Sequence, residues 1–287
     1  MKGRRKTGWS QGLGLLAKDP ASDTSGEMET LWLPRERVGQ GPLVLVNRKN
    51  SLSYSLPEDQ LVTVEQAREP LPEGGSRPLL LEEETARMLR FVLGNLTLSG
   101  RIVVVSGYRK RQEQQFLYEK SMAEHGEVFT RSYVAFPGCS EHETGLAVDL
   151  GELREPMDYI RPAFPYTGIC QQFRKQASSC GFVERYEKEK KKITRISAEP
   201  WHFRYVGIPH ANIMKARGLC LEEYLEFLKS FPDGTCAFVW QEEGWQFQIS
   251  YQRACEGDTP LQVPKSQLYR ISGDNQGGFI KTIWRRV

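Results

Sequence analysis

"SEHETGLAVDL" (residues 140–150) sets His142, one of four histidines in a chain of 287 residues, seven positions before Asp149, which stands inside the apolar run "LAVDL". A carboxylate buried without a partner costs several kcal/mol, so Asp149 requires a cation or a strong donor beside it. A metal ion is one such cation. Catalytic zinc takes three ligands from His, Asp, Glu or Cys and leaves the fourth position for water. His142 and Asp149 supply two candidates. The third is sought in "SAEPWHFRYVG" (197–207), where Glu199 stands three residues before His202.

Pro200 biases Glu199 towards extended backbone, which puts the Glu-x-x-His pair at a strand entrance or turn and not on a helix. There Glu199 can reach a metal-activated water while His202 holds the metal. "HETGL" has Leu146 where the second histidine of an HExxH motif would stand, so the ligands must come from separate segments. Each residue also has an ordinary reading. A lone histidine is usually a surface or hydrogen-bonded core residue, as expected for His125 and His210; Asp149 alone could cap a helix or pair with an arginine, and Glu199 alone could be a surface acid.

Working outward, "RIVVVSGYR" (101–109) reads as a buried strand ending at Ser106-Gly107, followed by a polar helix from Lys110 to about His125. "LEEETARMLRFVLGNL" (81–96) has helical apolar spacing with acids in its first turn. "CQQFRKQASSCG" (170–181) predicts a helix stopped by Gly181, and "FVERY" and "HFRYVG" predict strands around a solvated "EKEKKK" (187–192). "GPLVLVNRKNSL" (41–52) is expected to open ordered structure with a short β-rich run, "REPLPEGGSRP" (68–78) to be a loop, and "LEEYLEFLKS" (221–230) to be an amphipathic helix. Beyond 231 the character changes to hairpin grammar, with Trp245, Phe247, Ile249 and Tyr251 alternating and a second strand pair over 268–284. These aromatics read first as strand core; wall-glycan binding through Trp240, Trp245 and Tyr251 is the alternative.

The domain expectation is a flexible tail over 1–40, a catalytic domain over 41–230 and a small β-rich subdomain over 231–287. The basic start of the tail is signal-like, but its apolar part "GLGLLA" is too short and glycine-rich for a working export signal. With 39% hydrophobic and 26% charged residues the chain has the composition of a soluble globular protein, and a net charge of +3 gives no case for nucleic acid. No apolar run approaches the length of a membrane span. Six cysteines without metal-finger spacing are expected as reduced thiols in preference to a disulfide framework.

"SGYRKRQEQQ", "SEHETGLAVDL" and "EPWHFRYVG" together resemble, in order and separation, the zinc D-alanyl-D-alanine carboxypeptidases and dipeptidases of the vancomycin-resistance VanY type, over about 41–230. The resemblance is nearer to the membrane-anchored carboxypeptidase branch than to the cytoplasmic dipeptidase. It implies an α+β fold of the Hedgehog/DD-peptidase kind, a small mainly antiparallel sheet with helices around it, followed here by the β-rich appendage. It also implies one Zn2+ per chain on His142, Asp149 and His202, Glu199 as general base, and Arg109 stabilising the oxyanion. Gln114 and Ser140 would bond the substrate; Trp201 would pack beside the zinc site, with substrate binding as its alternative, and Tyr186 could line the pocket or be structural. The implied activity is removal of the last D-Ala from peptidoglycan stem pentapeptides, outside the cytoplasmic membrane. L,D-carboxypeptidase or endopeptidase action is the alternative within the family, and a metal-holding binding module the alternative outside it. The partners implied are peptidoglycan stem peptides or precursors, without nucleic acid and without a membrane span. Oligomeric state is not readable.

Overall fold

The structure, a computed structural model, describes residues 27–53, 55–70, 76–96, 101–154 and 157–287. It divides into two compact units, one of residues 46–207 and one formed by residues up to 45 together with 208–287. The expected borders at 40/41 and 230/231 therefore differ from the observed ones. Most of the expected tail, residues 1–26, lies outside the described residues, but Met28–Leu33 is a strand (β1) paired antiparallel with Thr259–Pro264 (β10).

The 46–207 unit is built on a four-stranded antiparallel sheet. Its order is Ile102–Ser106 (β4), Ala147–Glu152 (β5), Glu199–Tyr205 (β7) and Phe182–Tyr186 (β6). Alternation along a strand sends successive side chains to opposite faces. Phe203 therefore joins Phe164 and Phe173 in an aromatic cluster with ring centroids 4.9 to 5.8 Å apart, while His202 and Arg204 belong to the other face. Phe173 lies on helix α3 (Gly168–Ala177), one of the helices that cover the apolar side.

Helix α1 (Glu83–Asn95) buries Ala86, Met88, Leu89 and Val92 as its spacing predicts, and the Glu82 carboxylate caps it by accepting from the Thr85 amide at 2.8 Å. The predicted polar helix is present as α2 (Arg111–Tyr133), longer than expected and interrupted at Gly126, whose φ of 77° is not helical. The charged 187–192 stretch is largely exposed, as expected, but folds into short helical turns instead of open loop; the second is α4 (Lys191–Thr194). The 68–78 loop is a correction. Leu61–Pro70 (β2) and Ser76–Glu82 (β3) pair antiparallel and take up both its ends, and residues 71–75 fall outside the described part.

In the other unit, Phe238–Glu242 (β8), Trp245–Arg253 (β9), Leu268–Gly273 (β11) and Gly278–Arg286 (β12) form a sheet in the order β11-β12-β9-β8. The Glu243-Gly244 turn has positive φ at both positions, the geometry that matches the twist of paired strands. Trp245, Phe247 and Ile249 are buried, so the core reading holds for them. Leu33, Leu261, Val263 and Phe279 form a buried cluster between the two strand systems of this unit. Helices α5 (His210–Arg217) and α6 (Leu221–Leu228) precede the sheet. His210 is a hydrogen-bonded core histidine, with Tyr224 Oη at 2.8 Å and Thr282 Oγ1 at 3.1 Å, and burial lowers its pKa to about 3.

The apolar run at 43–46 is not a strand. Leu43, Val44, Leu45 and Val46 are all buried, and the amides of Leu43 and Leu45 bond to Ser272 Oγ and the Asp274 carbonyl instead of to a ladder. All six cysteines are free thiols. Among the described residues no helix is long and apolar enough to cross a membrane.

Gly181 ends the α3 region with φ 85°, and a Cβ there would stand 2.5 Å from the Tyr205 ring and 3.1 Å from the Gly207 Cα. Gly181→Ala is therefore expected to cost about 1–2 kcal/mol for the left-handed backbone and about 1–3 kcal/mol more for overpacking. The guanidinium denaturation midpoint should fall accordingly at unchanged slope; an unchanged midpoint would contradict this packing.

Candidate metal centre

The pairing of β5 with β7 sets Asp149 directly opposite His202. Opposed residues in an antiparallel pair share a face, so the two side chains meet, with His202 Nδ1 2.9 Å from Asp149 Oδ1. His142 enters from a short 3-10 turn, Glu141–Thr144, that closes at Gly145 with φ 69° just before β5. Its Nε2 lies 3.2 Å from Asp149 Oδ2. One ligand atom from each of His142, Asp149 and His202 falls within 4.8 Å of the others. Two imidazoles and one carboxylate, nearly closed off from solvent, match the donor set and number of a catalytic zinc site.

The outer ring nitrogens have acceptors too. His142 Nδ1 is 2.7 Å from the Gly107 carbonyl, and His202 Nε2 is 3.5 Å from Glu141 Oε2. Such bonds fix ring orientation and select the nitrogen that faces the metal. Glu141 was not singled out in the sequence. Its signal lay in two arginines, Arg185 and Arg204, within the predicted strands "FVERY" and "HFRYVG"; both are buried and ion-paired to it.

Glu199 shows how local irregularity serves the site. Three residues apart on a regular strand, Glu199 and His202 would face opposite sides. Between the pairs Glu184↔Phe203 and Tyr186↔Glu199 the register of β6 against β7 shifts, and the Glu199 carboxylate comes to 3.9 Å from His202 Nδ1. Burial pushes its pKa up to about 8, against the pull of His202; the Asp149 and Glu141 carboxylates push the same way as burial. Asp149 is held well below the ordinary range: burial opposes its ionisation, but His142 and His202 outweigh it.

Arg109 lies past the end of β4, its guanidinium fixed by donation from Nη1 to Gln114 Oε1 at 2.8 Å and from Nη2 to Ser106 Oγ at 2.9 Å. Both partners are neutral, and among the described residues no ion pair cancels its positive charge. Gln114 in turn donates from Nε2 to the Ala135 carbonyl at 2.7 Å. With both ends of its amide engaged, Gln114 is placed to orient Arg109 more than to bind substrate.

Ser140, Trp201 and Tyr186 line the same groove of about 610 Å3 as His142, Asp149, His202, Glu199 and Arg109. The Tyr186 ring lies against His202 at 4.9 Å between centroids, and Trp201 is almost wholly buried. The groove also runs along α2, past Phe116, Lys120 and Tyr133, and His125, expected as an ordinary surface or core histidine, contributes to its wall.

The sequence pattern of the VanY D-alanyl-D-alanine carboxypeptidases matches residues 80–208. A bifunctional D-Ala-D-Ala dipeptidase and carboxypeptidase, VanXYC of Enterococcus gallinarum, is 37% identical over 65% of this chain and 94% of its own length. The chain belongs to this family. It is a metallopeptidase of the D-alanyl-D-alanine carboxypeptidase group. A D-alanyl-D-alanine carboxypeptidase of Enterococcus faecium is 29% identical over 92% of this chain and 82% of its own. The crystal structure of the vancomycin-resistance D,D-dipeptidase VanXYg, solved with a D-Ala-D-Ala phosphinate analogue, superposes with a TM-score of 0.84 at 40% identity, covering 91% of this chain and all of that one. VanXYC and VanXYg, each matched over nearly its whole length, are by name a bifunctional enzyme and a dipeptidase.

Arg109→Lys keeps the charge but cannot span both acceptors. Its kcat is expected to fall about 100- to 1,000-fold, with zinc content unchanged by elemental analysis; a loss of zinc would mean that Arg109 supports the metal centre itself.

Proposed function

We propose that the protein is a zinc-dependent D,D-carboxypeptidase that removes the terminal D-Ala from peptidoglycan stem pentapeptides. The observation that carries this reading is the convergence of His142, Asp149 and His202 at one point of a groove that also presents Glu199 and the uncancelled charge of Arg109. A zinc ion bound there supplies Lewis acidity and lowers the pKa of a water to about 7. Glu199, buried beside the ligands, accepts a proton from the attacking water and passes it to the leaving amine of D-alanine. Arg109 meets the scissile carbonyl oxygen as charge develops on it, and Ser106 and Gln114 hold the guanidinium ready beforehand.

The length of the groove favours a substrate that continues N-terminal to the scissile bond, along Phe116, Lys120 and Tyr133 of α2. Removal of the last D-alanine from such a stem abolishes the vancomycin target. Stems of the mature wall place this action outside the cytoplasmic membrane. A second reading, in which free D-Ala-D-Ala is also hydrolysed, is favoured by the relatives VanXYC and VanXYg.

Mass spectrometry of the zinc-loaded protein with L-Lys-D-Ala-D-Ala, L-Lys-D-Ala and free D-Ala-D-Ala tests both readings. Chelator-sensitive loss of one D-alanine from the first peptide is expected. Cleavage of the free dipeptide in addition would establish the bifunctional reading, and cleavage of L-Lys-D-Ala alone would reassign the enzyme as an L,D-carboxypeptidase. Glu199→Ala should retain zinc and lose about 100- to 10,000-fold in kcat; a variant that still turns over at the parent rate would remove Glu199 from the chemistry.

A further inference from the structure

One buried carboxylate at the site takes no part in the steps above. Glu141 directly precedes His142, and its side chain is 0% exposed. Its Oε1 accepts from Arg185 Nε at 2.8 Å and lies 2.9 Å from Arg204 Nη1, and the two arginine side chains are 1% and 0% exposed. Its other oxygen, Oε2, faces Nε2 of His202 at 3.5 Å, while the Nδ1 side of the same ring faces Asp149. We infer that Glu141 is a positioning residue for the metal: it accepts the Nε2 proton of His202 and so directs the Nδ1 lone pair at the ion, with Arg185 and Arg204 as the clamp that holds the carboxylate in place. This rests on the reading of His142, Asp149 and His202 as metal ligands.

The geometry is hard to explain as packing alone. Buried ion pairs contribute little net stability, and well-packed apolar residues in their place are often neutral or stabilising. Here two guanidinium groups are buried around a single carboxylate, and both converge on the oxygen that points away from the histidine, which leaves the other oxygen for the ring. The sheet delivers this arrangement directly. Arg204 is two residues beyond His202 on the same face, and its opposite number on β6 is Val183, two residues before Arg185.

The two ligand histidines are also treated differently. The outer acceptor of His142 is the neutral carbonyl of Gly107, whereas that of His202 is an anion. Donation to a carboxylate makes an imidazole the more basic ligand. The His202 ring is further confined by Tyr186 on one side and by the edge of His142 at 5.0 Å between centroids. Its orientation is therefore set by three neighbours, of which Glu141 decides the tautomer.

Glu141→Gln in the full chain keeps the shape and removes the charge. Competition with a chromophoric chelator should show zinc affinity about 10- to 100-fold weaker than in the parent, and the visible bands of the cobalt-substituted variant should shift. A Glu141 that only supports the fold would lower Tm and leave the zinc affinity of the folded variant unaltered, and that result overturns the inference. Should Glu141→Gln fail to fold, the zinc-loaded parent gives an independent reading through long-range 1H–15N correlation of its histidine rings. A proton on His202 Nε2 with metal on Nδ1 is expected; metal on Nε2 overturns the inference even though the ligand set stands. A parent that binds no zinc would instead overturn the metal-site reading itself.

Discussion

The register of β5 against β7 is the constraint on which the site depends. Asp149 and His202 are 53 positions apart in sequence and meet only because their strands pair with these two residues opposed. Side chains alternate with a period of two, so a slip of one residue would turn His202 into the aromatic core and bring Phe203 to the metal face. The Phe164, Phe173 and Phe203 cluster makes that slip costly, because it requires phenylalanine and not histidine on the inner face. Hydrophobic packing on one side of the sheet thus fixes the meeting of Asp149 and His202 on the other.

The metal face carries an unusual concentration of charge for a buried surface. Asp149, Glu141 and Glu199 lie within reach of His142, His202, Arg185, Arg204 and, from the groove, Arg109. Each carboxylate is balanced differently. Asp149 is surrounded by the two histidines, Glu141 is fastened by two guanidiniums, and Glu199 has the least compensation and is raised by burial. A carboxyl that gains a proton more readily than its neighbours is suited to proton transfer, whereas a carboxylate locked between arginines is suited to holding a ring still.

Much of this was legible in the residues. His142, Asp149, Glu199 and His202 stand in two short local motifs, and an aspartate in an apolar strand raises its own question of compensation. The strand before Arg109 was recognisable by composition, whereas a role for Arg109 itself came only from the resemblance carried by "SGYR". Glu141 was not legible: its meaning depends on Arg185 and Arg204, which become its partners only once β6 and β7 are folded beside the 3-10 turn. The role of Gln114 changed for a similar reason, since only the positions of Arg109 and the Ala135 carbonyl reveal that its amide is already engaged. The 43–46 run misled because β propensity reports suitability for a buried, pleated environment, and this segment is buried with other partners. The stretch at 68–78 misled in the opposite sense, its proline and glycine concealing strands at both ends.

The pairing of β1 with β10 has a consequence for the order in which the chain acquires structure. Thr30 and Gln262 are bonded partners 232 positions apart, with the whole 46–207 unit lying between them in sequence. Closing so long a loop is slow compared with forming local contacts, and a ribosome emits the chain from its N-terminus. The unit with His142, Asp149 and His202 is complete in one uninterrupted stretch and can fold while synthesis continues. Strand β1, made before that unit, must wait unpaired until β10 has emerged after it.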